Sequence, residues 1–287
     1  MYVCYMKKYK ELIAPVIVVL AGILYWLFGY DKPESPVKPA DEPPGLEAPA
    51  TVSTTLDNLL EIPALTADGR IVEHGAFVSS YNTETLIPNW VAYELTAEET
   101  EGDRRRDGIE FRMDPDLKGC TQAMREDYAG SGWTKGHLMP AADAAFSSST
   151  MAETFYFTNI CPQDETLNAG DWQYLEKKAR QWANRYGSIW VATGPIVGEN
   201  RYGTIGDRDV VVPDAFFKAL LIRKKNGSYS AIAFVMDNDD DRYYLKDCYL
   251  TINDLESLTG YNFFPALDDT VEEKVEGTVR LSDWGIK

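Results

Sequence analysis

Sustained helical periodicity occupies one long stretch of this chain, Asn168 to Tyr186, where Trp172, Leu175, Ala179 and Trp182 recur along one face before Gly187. Around it lie short β-branched and aromatic runs bounded by Gly, Pro, Asn or Asp: Arg70 to Tyr81, Trp90 to Leu95, Thr154 to Thr158, Ser188 to Val197, Ala215 to Ile222 and Ser228 to Met236. One long helix among six strands cannot supply the βαβ alternation of a doubly wound sheet. The pattern predicts an α+β fold with a central antiparallel-rich sheet flanked by helices. A short helix is expected from Ile252 to Leu258, with Asn253 or Asp254 near its cap, and the apolar pattern of Tyr249 to Leu267 reads as a final helix packed on the sheet. No GxGxxG or GxxxxGK[ST] loop is present, which removes support for a nucleotide cofactor.

The N-terminus has a different character. From Leu12 to Tyr30 the chain is apolar and uncharged, broken only by Pro15, Gly22 and Gly29, and long enough to span a bilayer. Lys7, Lys8 and Lys10 precede it and no small-x-small cleavage signal follows. Residues 1–30 are therefore expected to form an uncleaved signal anchor, with a cleaved signal peptide as the alternative. Residues 31–55, rich in proline and acid, read as a semi-extended linker, and 56–287 as the folded domain. This order predicts a bacterial-type inner-membrane protein whose domain lies outside the cytoplasm, or a secreted or periplasmic domain if the signal is cut. Export permits disulfides, and Cys120, Cys161 and Cys248 fall in the domain, so at most one internal pair forms.

The first 30 residues carry a net +2, so of the overall −17 the rest of the chain carries −19. Such acidity argues against a protein that coats nucleic acid through general basicity, but not against a local basic cleft. Phosphodiester hydrolysis needs a base for water, a cation to stabilise charge at phosphorus and the leaving oxygen, and a holder for that cation. His137, one of only two histidines, has an ordinary pKa of about 6.5 and suits the base. A lone histidine is more often structural, and His74, beside Gly75 in a strand-like run, is read that way. His137 differs in its company. Lys135 falls on the same side of an extended segment, and Gly136 permits close approach of backbone or ligand. Downstream stand Asn159, Asn168 at the expected helix start, and Glu176, roughly 80° further round an ideal helix. Read alone, Asn168 is an N-cap and Glu176 a solvated charge; read together, they serve one cavity with His137.

These residues, in this order, resemble the DNA/RNA non-specific endonuclease family, the ββα-metal or His-Me finger nucleases of the endonuclease G type. The similarity runs from Pro88–Leu95 through the Gly136–His137 segment, Phe155–Gln163 and Leu167–Glu176. It continues through Thr193-Gly194-Pro195 to Leu258-Thr259-Gly260 and Phe263-Phe264-Pro265, and so covers most of residues 65–270. The resemblance implies a strand, loop and helix metal finger between Lys135 and Asn168. It implies His137 as general base, Asn168 as the direct ligand of Mg2+ (Mn2+ as a possible substitute), and Glu176 as a carboxylate acting on the ion through water. Asn159 is expected to orient the histidine or substrate. A phosphate-binding arginine is expected among Arg104, Arg105 and Arg106, with Arg112 a further possibility. The implied activity is a sugar-non-specific endonuclease on DNA and RNA that leaves 5′-phosphate ends.

The chain departs from the family's Asp-Arg-Gly-His motif: Thr134 and Lys135 stand where the family has Asp and Arg. Lysine keeps the charge without the bidentate fork, so Lys135 is expected to retain a catalytic and substrate-binding charge. Loss of the aspartate leaves two other readings open, a nucleic-acid- or partner-binding descendant of weak or no activity, and a phosphodiesterase of small esters.

Overall fold

The structure, a computed structural model, describes residue 56, residues 59–66 and residues 68–287. The expected membrane anchor and the linker lie outside the described residues. Among the described residues no helix is long and apolar enough to cross a membrane.

A seven-stranded sheet organises the domain, all of its neighbouring pairs antiparallel. Its strands are β1 (Arg70–Glu73), β2 (Val78–Asn82), β3 (Ile87–Thr96), β6 (Ser188–Ile196), β9 (Ala215–Arg223), β10 (Tyr229–Asp237) and β11 (Tyr249–Leu250), lying side by side in that order. A two-stranded ribbon, β4 (Thr134–His137) against β5 (Ile160–Gln163), stands apart from it, as does the short pair β7 (Thr204–Ile205) and β8 (Val210–Val211). The middle strands read as almost unbroken apolar runs because both faces of the sheet are covered: eight of the nine residues of β9, from Ala215 to Ile222, are buried. Alternation along β9 sorts its side chains. Phe216 packs on Trp172 on one face, 5.6 Å between centroids, and Phe217 on Phe263 on the other, 5.4 Å.

The helices are short except one. They are α1 (Arg125–Tyr128), α2 (Ser148–Glu153), α3 (Glu165–Leu167), α4 (Gln173–Tyr186), α5 (Leu245–Cys248), α6 (Ile252–Thr259), α7 (Asp269–Glu276) and α8 (Leu281–Trp284). Helix α4 buries Leu175, Ala179 and Trp182 as its periodicity predicts, and truncating a large member of that stripe to alanine costs roughly 2–5 kcal/mol. Trp182 also stacks on Phe234 of β10.

Four expectations about elements are corrected. The run Arg70–Tyr81 is two strands, because the chain reverses at His74, whose N–H bonds Phe77 O. Thr154–Thr158 is not a strand; it closes α2 and enters a 3-10 turn at Phe157–Asn159. Its β-like composition reflects burial, with Phe155 and Phe157 plugged into the core. The stretch Tyr249–Leu267 is not one helix. Strand β11 and α6 divide it, and α6, capped by Thr251, stops at Gly260. Finally, Asn168 is not an N-cap. Asp164 caps α3 through the N–H groups of Thr166 and Leu167, and Asn168–Trp172 forms a wide π turn in which Gly170 leaves helical geometry (φ −109°, ψ −105°). Cys120 and Cys161 are free thiols.

Candidate functional site

The β4–β5 ribbon carries the site, and its close pairing explains the glycine in Lys135-Gly136-His137. Gly136 faces Cys161, and a Cβ placed there would lie 2.2 Å from Gln163 Oε1, so only glycine fits. The segment following His137 is fixed from below by Asn159. Its Nδ2 donates to Met139 O (2.9 Å) and Thr154 O (2.8 Å), and its Oδ1 accepts from Met139 N (2.8 Å). Asn159 is fully buried by these bonds and contacts neither the cleft nor the imidazole. Its bonds hold the two residues that follow His137.

His137 is half-buried. The edge of Phe155 meets its ring at 4.9 Å and Phe111 lies tilted at 5.4 Å. Its Nε2 is sealed from solvent and has no hydrogen-bond partner. Burial, with Arg106 adding repulsion, pushes its pKa down to about 3, so at neutral pH the ring is uncharged.

Asn168, released from capping by the π turn, donates from Nδ2 to Thr134 Oγ1 at 3.0 Å. Thr134 in turn donates to Gln163 O at 2.8 Å. A hydroxyl that gives its proton to a carbonyl must accept from the amide. The amide orientation is thereby set, with Oδ1 left for the cleft. Thr134, expected as a loss, is the residue that aims Asn168.

Helix α4 delivers Glu176, eight residues after Asn168, to a buried network. Arg180 bonds Asp143 at 2.5 Å, and Tyr93 donates to the other oxygen of Asp143 at 2.9 Å. Lys218, fully buried in the middle of β9, places Nζ 3.5 Å from Leu138 O and over the Trp172 ring at 4.9 Å. Burial pushes the Glu176 carboxyl up; Lys218 and Arg180 pull it back while Asp143 pushes it further. Burial lowers Lys218, and Glu176 and Asp143 oppose that. The opposite charges in this network favour one another, while Asp143 works against Glu176 and Arg180 against Lys218.

His137, Asn168 and Glu176 line one cleft of about 460 Å³ together with Arg104, Arg106 and Arg180. The loop bringing the first two arginines is tied down by Arg104 N bonding Ala145 O. It needs Gly102, where a Cβ would meet the Ala145 backbone at 2.2 Å. Arg105 points elsewhere, exposed and paired with Asp107, and Arg112 lies over Tyr156. Lys135 also departs from its expected place. It is absent from the cleft lining, and its Nζ sits over the rings of Tyr128 (5.1 Å) and Phe111 (5.6 Å). Burial and Arg125 lower its pKa.

Sequence reasoning missed Arg180, Asp143 and Lys218. A signal existed for the last: one cation within the apolar run Ala215 to Ile222. Arg180 stands four residues after Glu176, on the same helical face.

Cleft and network together define a class of site, a β-ribbon and a helix holding a neutral histidine, an amide oxygen and a carboxylate before a set of arginines. Residues 58–270 match the model of the DNA/RNA non-specific endonuclease family, and the chain belongs to that family. It is 36% identical over 205 residues to mitochondrial nuclease EXOG of Homo sapiens, covering 67% of this chain and 56% of that protein. Against mitochondrial endonuclease G of Homo sapiens the identity is 33% over 201 residues, covering 66% and 68%. Against mitochondrial nuclease 1 of Schizosaccharomyces pombe it is 35% over 218 residues, covering 69% and 66%. The chain spans little more than half the length of the EXOG relatives. A crystal structure of the EndoG/EndoGI complex, concerned with EndoG inhibition, is similar with a TM-score of 0.68 at 25% identity, covering 77% of this chain and 96% of that one. Nucleases of the family are metal-dependent.

The other grouping of potential metal donors among the described residues is His74, Asp114 and Asp116, whose donor atoms lie within 4.8 Å of one another. Its oxygens are already engaged. Asp114 Oδ2 accepts from His74 Nε2 (2.8 Å) and Thr158 Oγ1 (2.5 Å), and Oδ1 accepts from Asp116 N (2.9 Å). The cluster ties the 112–117 loop to the β1–β2 turn and to the turn before β5.

Proposed function

We propose that this chain is a metal-dependent, sugar-non-specific nuclease that hydrolyses phosphodiester bonds of DNA and RNA. The observation that carries the reading is the convergence of His137, Asn168, Glu176 and the arginines on one cleft. Asn168 Oδ1 and the Glu176 carboxylate are hard oxygen donors of the kind Mg2+ prefers, with Mn2+ a substitute, and a site with so few protein donors suits an ion that keeps several waters. Asn168 would hold the ion directly and Glu176 would act on it through water. When bound, the ion supplies charge neutralisation at the phosphate and the leaving oxygen.

The chain's own residues do the remainder. His137, held uncharged by its burial, takes a proton from the attacking water at its cleft-facing edge. Arg104, Arg106 and Arg180 hold the phosphate and offset the charge that builds on it. Lys218 and Arg180 favour the ionised Glu176 carboxylate, whereas burial and Asp143 oppose it and hold its pKa up at about 8, so a bound cation would be what completes its ionisation. Attack in line with the 3′ oxygen leaves a 5′-phosphate end. None of these groups reads base identity or the 2′ position, which fits activity without sugar preference.

The apolar run Leu12–Tyr30 and the proline-rich linker support tethering of this domain outside an inner membrane, or its release there after cleavage. The test of activity is incubation of the purified full-length chain with plasmid DNA and with RNA, in Mg2+, in Mn2+ and in EDTA. Metal-dependent cleavage of both polymers, absent in His137→Ala, is expected. Intact polymers with hydrolysis of a small diester would transfer the reading to small esters; binding without cleavage, indifferent to Asn168→Ala, would transfer it to a binding descendant.

A further inference from the structure

Helix α4 separates two clefts. Gln173, Glu176, Lys177 and Arg180 face the one described above, whereas Tyr174 and Lys178, each displaced by one position, face a second groove of about 650 Å³. The π turn lies between them in the chain: Asn168 lines the first cleft, and Gly170 and Asp171, two and three residues later, line the second.

The second groove combines features that are scarce on this molecule. Five large hydrophobic side chains are exposed among the described residues, and two of them, Tyr174 (48%) and Tyr244 (63%), stand in this groove. In a chain of net charge −17, it also gathers Lys178, Arg242 and Lys246. Lys178 Nζ lies 5.5 Å from the Tyr174 ring centre. The one acid lining the groove, Asp171, is engaged by Tyr243 N at 2.7 Å and Arg242 Nε at 3.4 Å. Lys178 and Lys246 have no carboxylate partner among the described residues.

Aromatic faces with cations between them suit one kind of ligand. Bases stack on rings whatever their identity, and the backbone phosphates follow the cations. A duplex has no free base faces to offer, whereas a single strand does. We infer that this groove is an extended-strand site for single-stranded nucleic acid: a strand whose reacting phosphate lies by Asn168 crosses the π turn, stacks on Tyr174 and Tyr244, and sets its phosphates on Lys178 and Lys246. The inference rests on the first cleft accepting nucleic acid. It gives the protein a hold on substrate that is sequence-tolerant, salt-sensitive and separate from the reacting atoms.

The experiment compares the full chain with the double variant Tyr174→Ala/Tyr244→Ala and with Lys246→Glu, on single strands of about 4 and about 20 nucleotides and on a duplex. Expected is a rise in KM of about tenfold or more for the long single strand, with kcat unchanged and little effect on the short one. Titration of a fluorescent long strand in EDTA, in a His137→Ala background, should show the same weakening and reads binding without any need for cleavage. Equal KM values for variant and parent on the long strand, with cleavage intact, would overturn the groove while leaving the nuclease reading in place. So would a rise that is the same for long and short strands, or one confined to the duplex. Absence of cleavage by the parent, with strand binding still lost in the double variant, would overturn the nuclease reading and support the groove.

Discussion

The chain contains two histidines, and the structure treats them in opposite ways. His74 has what a catalytic histidine is usually expected to have, a buried carboxylate at hydrogen-bond distance. Yet every oxygen of Asp114 is spent inside the fold, and the dyad is closed. His137 has no carboxylate partner, two phenyl rings against it and a sealed Nε2, yet it stands at a cleft with an amide oxygen, a carboxylate and three arginines. A histidine with every bond satisfied can only hold structure together. One kept neutral by burial and left open on one side still has a proton site to use. The difference teaches that surroundings free to accept substrate matter more than the strength of the pairing.

The largest expected effect that would break this comparison is on turnover. His137→Ala should lower kcat by about 10³-fold, within the usual range for a general base, with an unchanged circular dichroism spectrum; His74→Ala should leave kcat within about twofold. A loss of turnover in His74→Ala as large as in His137→Ala, with the fold intact, would reverse the assignment.

A smaller effect is expected one step away from the base. Thr134→Val keeps the shape of the side chain but removes the acceptor that aims Asn168, and should weaken apparent Mg2+ affinity by about tenfold or more, as loss of an outer partner commonly does. Calorimetric titration of Mg2+ measures this apart from activity. Thr134→Ser, retaining the hydroxyl, should restore it. Equal affinity in Thr134→Val would show that the amide holds its orientation unaided.

Smaller still is the contribution of the closed dyad to stability. Asp114→Asn should cost roughly 1–3 kcal/mol in urea unfolding at neutral pH, the penalty for a buried bonded group that loses its match. Burial raises the Asp114 carboxyl, but the bonds from His74 and Thr158 outweigh it and leave it below the ordinary 3.8. A depressed carboxylate stabilises at pH above its unfolded value and loses that contribution as pH falls through its lowered folded value. The gap between variant and parent should therefore close only in strong acid.

The two histidine regions should also differ in where acid acts. His137 moves from 6.5 to about 3 on folding, so between those values the unfolded chain binds the extra proton and stability falls as pH falls. His137→Phe should be less acid-sensitive than the parent between about pH 6 and pH 4, measured by urea midpoints. Parallel curves over that range would contradict a buried neutral imidazole.

Much of this was legible from residue pattern. The apolar strands of the sheet and the stripe of α4 follow from periodicity, because burial on a fixed face imposes it. Position within the cleft was less so. Thr154–Thr158 has strand-like composition, yet its aromatic residues plug the core from a turn, and composition reports burial without reporting dihedrals. Asn168 looked like a cap until Asp164, four residues earlier, took that duty. Lys135 keeps a positive charge, but two neighbouring rings distant in sequence claim it. Thr134 looked like a missing carboxylate because its value lies in a bond to Asn168, 34 positions away. The network around Lys218 joins β9, α4 and the segment after β4, and no local window contains it.

The π turn at Asn168–Trp172 carries a consequence for length. By leaving helical geometry at Gly170 it resets the angular phase of all that follows, so that Glu176 and Arg180 arrive at one cleft while Tyr174 and Lys178 arrive at the other. Each residue in an α-helix advances the phase by about 100°. Removing one residue between Asn168 and Gln173 would turn α4 by that amount, carrying the carboxylate away from the histidine with every side chain of the site still present. The segment can vary in identity far more readily than in number.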